Sequence, residues 1–152
     1  MRQTDQLTFA QLLSYGLLTM PLAMAGLTLL TFLPIYYAVD LGLGLSVVGI
    51  VFAAGRIGDV VTDPIIGHLS DQTRTRFGPR KPWMTVGVVG FAASFSMLVS
   101  PPADVSLLYL ILAGGGFFLF TTLLDVPYSA VGLELSSSVE ERTRLALSLI
   151  HI

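Results

Sequence analysis

Four long apolar stretches alternate with short polar ones along this chain. The first runs from about Leu12 to Tyr37 and is broken only by Ser, Thr, Gly and Pro, which bundled membrane helices tolerate. A second extends from about Ser46 to Leu69, a third from about Trp83 to Val99 and a fourth from about Ser106 to Val131. A hydrocarbon layer takes roughly 20 helical residues to cross, so the pattern predicts four transmembrane helices. Between them lie a turn with Asp40, Gly42 and Gly44, the polar segment Ser70 to Pro82, and Pro101-Pro102-Ala103-Asp104, where consecutive prolines stop a helix. Beyond the fourth stretch the segment from Glu134 to Arg144 is polar. Within it, Ser138 with Glu141 three residues on forms a capping-box pattern that predicts a fifth helix beginning near Val139.

Composition agrees with the bilayer as solvent. Of the 152 residues 53% are hydrophobic and 12% charged, with a mean hydropathy of +0.78; a water-soluble domain of this make-up would be coated in apolar side chains. Ala23-Met24-Ala25 imitates a signal-peptidase site, but only Arg2 precedes it as a positive region and the apolar run continues past it, so a retained span is expected. The absence of Cys excludes disulfide, thiolate-zinc and thiol-nucleophile chemistry.

The net charge of -2 matters less than where the charges sit. Arg74, Arg76, Arg80 and Lys81 lie between the second and third spans, Arg142 and Arg144 follow the fourth, and the other two connections carry no basic residue. Basic residues favour the cytoplasmic side, so both ends of the four-helix unit are expected there. The protein is expected to be multi-pass in an inner or plasma membrane, with a cytoplasmic N-terminus and no nucleic-acid partner. Tyr36 and Tyr37 on one side and Trp83 on the other read as interfacial belts.

Arg56 alone among the basic residues falls within a span, together with Asp59 and Asp63. A carboxylate at the centre of a lipid-exposed helix costs about 3 kcal/mol, so these groups must face protein or water. Their i to i+3 and i to i+4 spacing places all three on one stripe of the second helix. The fourth span answers with Thr122 and Asp125 at i to i+3 and Thr121 and Asp125 at i to i+4. Helices 2 and 4 run in the same direction. At about 1.5 Å per residue, Asp63 and Asp125 each sit roughly 9 Å from the basic ends of their spans and Asp59 roughly 15 Å. One oxygen-rich cavity between the two helices is therefore expected, suited to a small hard cation or to a proton carried on a carboxylate. For Thr121 and Thr122, bonding back to helix carbonyls competes equally with ligation. In the basic loop, Asp71 paired with a guanidinium of Arg74, Arg76 or Arg80, with Lys81 beside them, would clamp helices 2 and 3 in one state of a gating cycle.

These residues resemble a known family. Arg56-Ile57-Gly58-Asp59-Val60-Val61-Thr62-Asp63-Pro64, Gly67 to Asp71, Thr73-Arg74-Thr75-Arg76-Phe77-Gly78 and Lys81-Pro82-Trp83 are similar to helix 2 and the following loop of the glycoside-pentoside-hexuronide:cation symporters, the melibiose-carrier-like branch of the major facilitator superfamily. Asp125-Val126-Pro127-Tyr128-Ser129-Ala130 and Glu140-Glu141-Arg142-Thr143-Arg144-Leu145 resemble that family's helix 4 end and the loop after it. The resemblance implies a twelve-helix transporter of two six-helix halves, of which this all-α chain is part of the N-terminal half, ending inside helix 5. It also implies symport of a sugar, glycoside or related small polar solute with sodium or a proton, and no cofactor beyond the coupling ion. By motif position Asp59 and Asp63 correspond to the cation-binding carboxylates, and would hold sodium if sodium is the ion. Thr122 and Asp125 are the helix 4 contributors, and Arg56 matches the family's helix 2 arginine. Ala23 falls where melibiose carriers have a sugar-contacting aspartate, so a different cargo is expected.

Two readings from other classes compete. Asp59-x-x-x-Asp63 on a helix also suits magnesium-diphosphate chemistry in an intramembrane prenyl or phosphatidyl transferase, although no second DxxxD motif occurs. A small four-helix structural membrane protein is the other.

Overall fold

The structure, a computed structural model, describes residues 9–76, 78 and 80–135. The expected fifth helix near Val139, the Ser138 and Glu141 capping pattern, and Arg142 and Arg144 lie outside the described residues. Within them the chain is helical, in the order α1 (Phe9–Thr31), α2 (Leu33–Ile35), a π-helical turn (Tyr36–Asp40), α3 (Leu45–Gln72), α4 (Lys81–Val99) and α5 (Leu107–Leu135). Among the described residues four segments are long and apolar enough to cross a membrane: Thr19–Asp40, Leu45–Gln72, Lys81–Val99 and Leu107–Val131.

The first span is not the single uninterrupted helix the sequence suggested. Pro34 lacks the N–H that would bond back to the preceding turn, and the helix breaks at Phe32 before resuming as α2. It then widens, with the Leu41 N–H bonding to the Tyr36 carbonyl at 3.1 Å. The connection to α3 needs Gly42 and Gly44 because their φ values of +72° and +85° suit no L side chain well. Farther along, α3 continues three residues past Leu69 and α5 four past Val131. Asp63 and Asp125 consequently lie about 14 and 15 Å from the ends of their helices, deeper than expected but still level.

Helix α5 is the centre of the bundle, packed along α4 on one side and α3 on the other. Its sequence explains why: outside the stripe of Thr121, Thr122 and Asp125, α5 is apolar around most of its circumference and can pack on both neighbours. The main core lies toward the end opposite the basic loop. There Leu29, Leu33 and Tyr37 of the first span meet Val48 and Phe52 of α3, Leu98 of α4, and Leu110, Phe117 and Phe118 of α5.

Tyr37 does not form an interfacial belt. It is 0% exposed, and its hydroxyl donates to the Leu98 carbonyl at 3.0 Å, at the last turn of α4. Tyr109 of α5 donates to the adjacent Met97 carbonyl at 2.7 Å. A helix end leaves four carbonyls without intrahelical partners, and these two tyrosines satisfy a pair of them while tying three spans together. Tyr37→Phe is expected to leave the Leu98 carbonyl unpaired and to destabilise the bundle by about 1–3 kcal/mol, read as a lower melting temperature in detergent. A melting temperature equal to that of the unaltered protein would show that the bond is immaterial.

Candidate functional site

Along the inward face of α3 the buried or half-buried residues include Val48, Phe52, Gly55, Asp59, Thr62, Ile66 and Ser70, at spacings of three or four. The close approach begins at Gly55, where the Phe118 ring of α5 occupies the space a side chain would need. The same ring packs edge-on against Phe52, with centroids 6.3 Å apart. One turn on from Gly55, the apolar seam becomes polar.

Asp59 is the first acidic group on that seam, and its side chain is 19% exposed. Its Oδ2 lies 3.5 Å from an Arg56 guanidinium nitrogen, and Thr122 of α5, itself buried, is close enough to interact with its carboxylate. Arg56 is 56% exposed and its guanidinium rests over the Phe118 ring, 5.5 Å from the centroid. An ion pair this long and this open to solvent contributes no more than about 1 kcal/mol, so Arg56 attends the carboxylate without sealing it. The structure therefore resolves the single charged stripe into two positions. Around an ideal helix Arg56 and Asp63 are only about 20° apart, while Asp59 lies about 40–60° to one side; Asp59 enters the seam and the other two stay exposed beside it.

The negative charge of Asp63 acts on both Asp59 of its own helix and Asp125 of α5. Close packing of the two helices at this depth is independently visible at Gly67, which faces Val126. Of the residues singled out in the sequence, Asp59 and Thr122 lie inside the seam, or groove, between α3 and α5, while Asp63 and Asp125 are exposed beside it. Thr121 is not among them, since its hydroxyl donates to the Phe117 carbonyl of its own helix at 2.7 Å. One residue was missed. Thr62, a turn beyond Asp59, has a buried hydroxyl oxygen with no hydrogen-bond partner, an arrangement that costs free energy unless something occupies it. The i to i+3 spacing from Asp59 was the available signal.

Chemically, the groove offers carboxylate and hydroxyl oxygens, the donors preferred by hard cations. Among the described residues no three His, Cys, Asp or Glu side chains converge closely enough to cage a metal ion. A separate groove of about 450 Å3, lined by residues including Phe32, Tyr36, Asp40 and Val99, lies at the opposite end of the bundle.

At the basic end, Arg80 donates to Asp71 at 2.9 Å, with side chains 12% and 61% exposed respectively. This pair ties the last turn of α3 to the residue that caps α4. Trp83, half-buried, donates its indole N–H to Thr73 at 2.9 Å and makes a second tie across the loop. Arg74, Arg76 and Lys81 are exposed.

Comparison with known proteins adds the following. Residues 14–149 match the family model described as MFS/sugar transport protein. The chain is 34% identical to an uncharacterised symporter of Synechocystis, over 93% of this chain and 28% of that protein. It is 29% identical to a putative glycoside/cation symporter of Escherichia coli, over 92% of this chain and 31% of that protein. An inner membrane symporter of the same bacterium is 29% identical, over 72% of this chain and 25% of its own length. The chain thus spans between a quarter and a third of the length of these relatives. No solved structure matches it significantly.

Proposed function

Because the chain belongs to the MFS/sugar transport protein family, we propose that it is the front portion of a cation-coupled symporter that carries a sugar or a related small polar solute by alternating access. The family is one of transporters and not of enzymes, which sets aside the transferase alternative along with the small structural protein. What supports the proposal most is the placement of acidic side chains on two facing spans, Asp59 half-buried on the inward face of α3 and Asp125 on α5 one turn from the buried Thr122.

In this mechanism the coupling ion, sodium or a proton, is a substrate bound by Asp59, Asp63 and Asp125 with the hydroxyls of Thr122 and Thr62. Without it, like charges on α3 and α5 repel across the groove. With it, the repulsion is relieved and the helices can close on each other, so ion binding biases one of two arrangements as coupled transport requires. Arg56, held on Phe118, balances part of the negative charge. The Asp71–Arg80 pair, with Arg74, Arg76 and Lys81 around it, acts as the loop clamp that holds α3 and α4 in one of those arrangements. The basic end faces the cytoplasm of an inner or plasma membrane.

The full-length protein in sealed vesicles, offered radiolabelled glycosides, tests the proposal. Uptake is expected to accelerate under an inward sodium gradient, or under an inward proton gradient without sodium, and to fall back when an ionophore dissipates that gradient. Uptake indifferent to both gradients would exclude cation coupling.

A further inference from the structure

The transport mechanism leaves unused a groove between the start of α4 and the middle of α5. It encloses about 360 Å3, its walls are apolar, and it is lined by Pro82, Trp83, Val86 and Leu123. Its shape follows from local sequence. Gly87 brings the α4 backbone against Leu123 and Leu124 of α5, one residue past the groove's lining at Val86. At its mouth Trp83 is fixed by the bond to Thr73. From Lys81, the first residue of α4, the groove descends to Val86, about 8 Å along the helix, the depth of headgroups and the first part of an acyl chain.

Charge at the mouth identifies the occupant. Residues 73–81 contain Arg74, Arg76, Arg80 and Lys81 and no acidic residue. Asp71, the nearest acidic group in the sequence, is engaged with Arg80, while Lys81 is exposed next to Pro82 of the groove's lining and Arg74 is exposed next to Thr73, whose hydroxyl holds Trp83. Cations at the interface above an apolar slot complement an amphiphile with a negative head and a hydrocarbon tail. We propose that the α4–α5 groove binds one anionic phospholipid of the leaflet facing the basic loop, its acyl chain against Val86 and Leu123 and its phosphate against Lys81 and Arg74. A zwitterionic lipid would fill the slot equally well but forgo the attraction to the surplus cations, which is worth roughly fivefold in affinity for each one.

Purification of the full chain from bilayers of equal parts phosphatidylglycerol and phosphatidylcholine, followed by mass spectrometry of the retained lipid, tests this. Phosphatidylglycerol is expected in excess over its bulk share. The double variant Arg74→Gln, Lys81→Gln should lose that excess. Val86→Trp, which fills the slot at a position 56% exposed and leaves the charges in place, should lose it too, with Val86→Phe as the milder filler should the Trp variant not remain monodisperse. Three results would overturn the proposal: phosphatidylcholine retained as readily as phosphatidylglycerol; retention unchanged in all variants; or retention lost only with the charges, which reduces the effect to surface attraction. A later helix of a longer protein seated in the groove would appear as the second or third of these.

Discussion

Asp63→Asn in the full-length transporter is expected to abolish cation-stimulated uptake while leaving the protein inserted in the membrane. The substitution keeps size and shape but removes the charge that acts on both Asp59 and Asp125. The groove then has one formal charge fewer to offer a cation and one repulsion fewer to be relieved by it. Even residues that merely orient a metal's ligands are worth about 10- to 100-fold in affinity, so loss of a ligand carboxylate should lower apparent cation affinity by about 100-fold or more. Insertion should not suffer, since a carboxylate in mid-span is itself unfavourable by about 3 kcal/mol. Asp59→Asn should behave alike, with Thr62→Val weaker because it removes one neutral oxygen. Uptake against sodium concentration and pH, normalised to surface expression, measures all three. Normal coupled transport in both aspartate variants would remove those residues from the ion site.

The four spans and the placement of charges within them were legible in the sequence because the bilayer makes burial so selective. Charges within apolar runs have few places to go, and the spacing of Asp59 and Asp63 against that of Thr122 and Asp125 already aimed two helices at each other. Helical periodicity fixes which face a residue shares but not how far a neighbour's backbone is tilted, and so the division of Arg56 and Asp63 from Asp59 had to come from coordinates. The same limit hid the different fates of adjacent threonines: Thr121 turns to its own Phe117 carbonyl while Thr122 meets α3. Tyr37 was misread for another reason. Its position at the end of a span fits both a wet interface and a buried tie to a helix end, and only the presence of the Leu98 carbonyl 3.0 Å away distinguishes them. The break at Phe32 was signalled by Pro34, but a proline in a membrane helix does not announce whether the chain kinks or continues.

Gly87→Leu is expected to be the most damaging change outside the groove. A Cβ at this position would fall 2.9 Å from the backbone nitrogen of Leu124 and 3.1 Å from the carbonyl carbon of Leu123. Those are main-chain atoms of a helix and cannot rotate away, in contrast to Gly90 and Gly116, where side chains of Phe120 and Ser94 stand in the path. Membrane helices lack a hydrophobic force between them and associate through such close approaches of small residues, so forcing α4 from α5 removes much of what holds the pair together. Gly87→Ala should already cost about 1–3 kcal/mol, and the branched side chain of Leu should leave little folded protein. The damage should reach the groove as well: Leu123 and Leu124 directly follow Thr122, so displacing that turn of α5 draws the hydroxyl from Asp59 and weakens cation binding in whatever Gly87→Ala protein survives. Gly49→Ala serves as the control, because nothing lies within 4 Å of its Cβ position and the helix should gain about 0.5–1 kcal/mol. Melting temperatures in detergent should rank Gly49→Ala above the unaltered protein and Gly87→Ala well below it; equal values for the two variants would mean that α4 and α5 are not in backbone contact at Gly87.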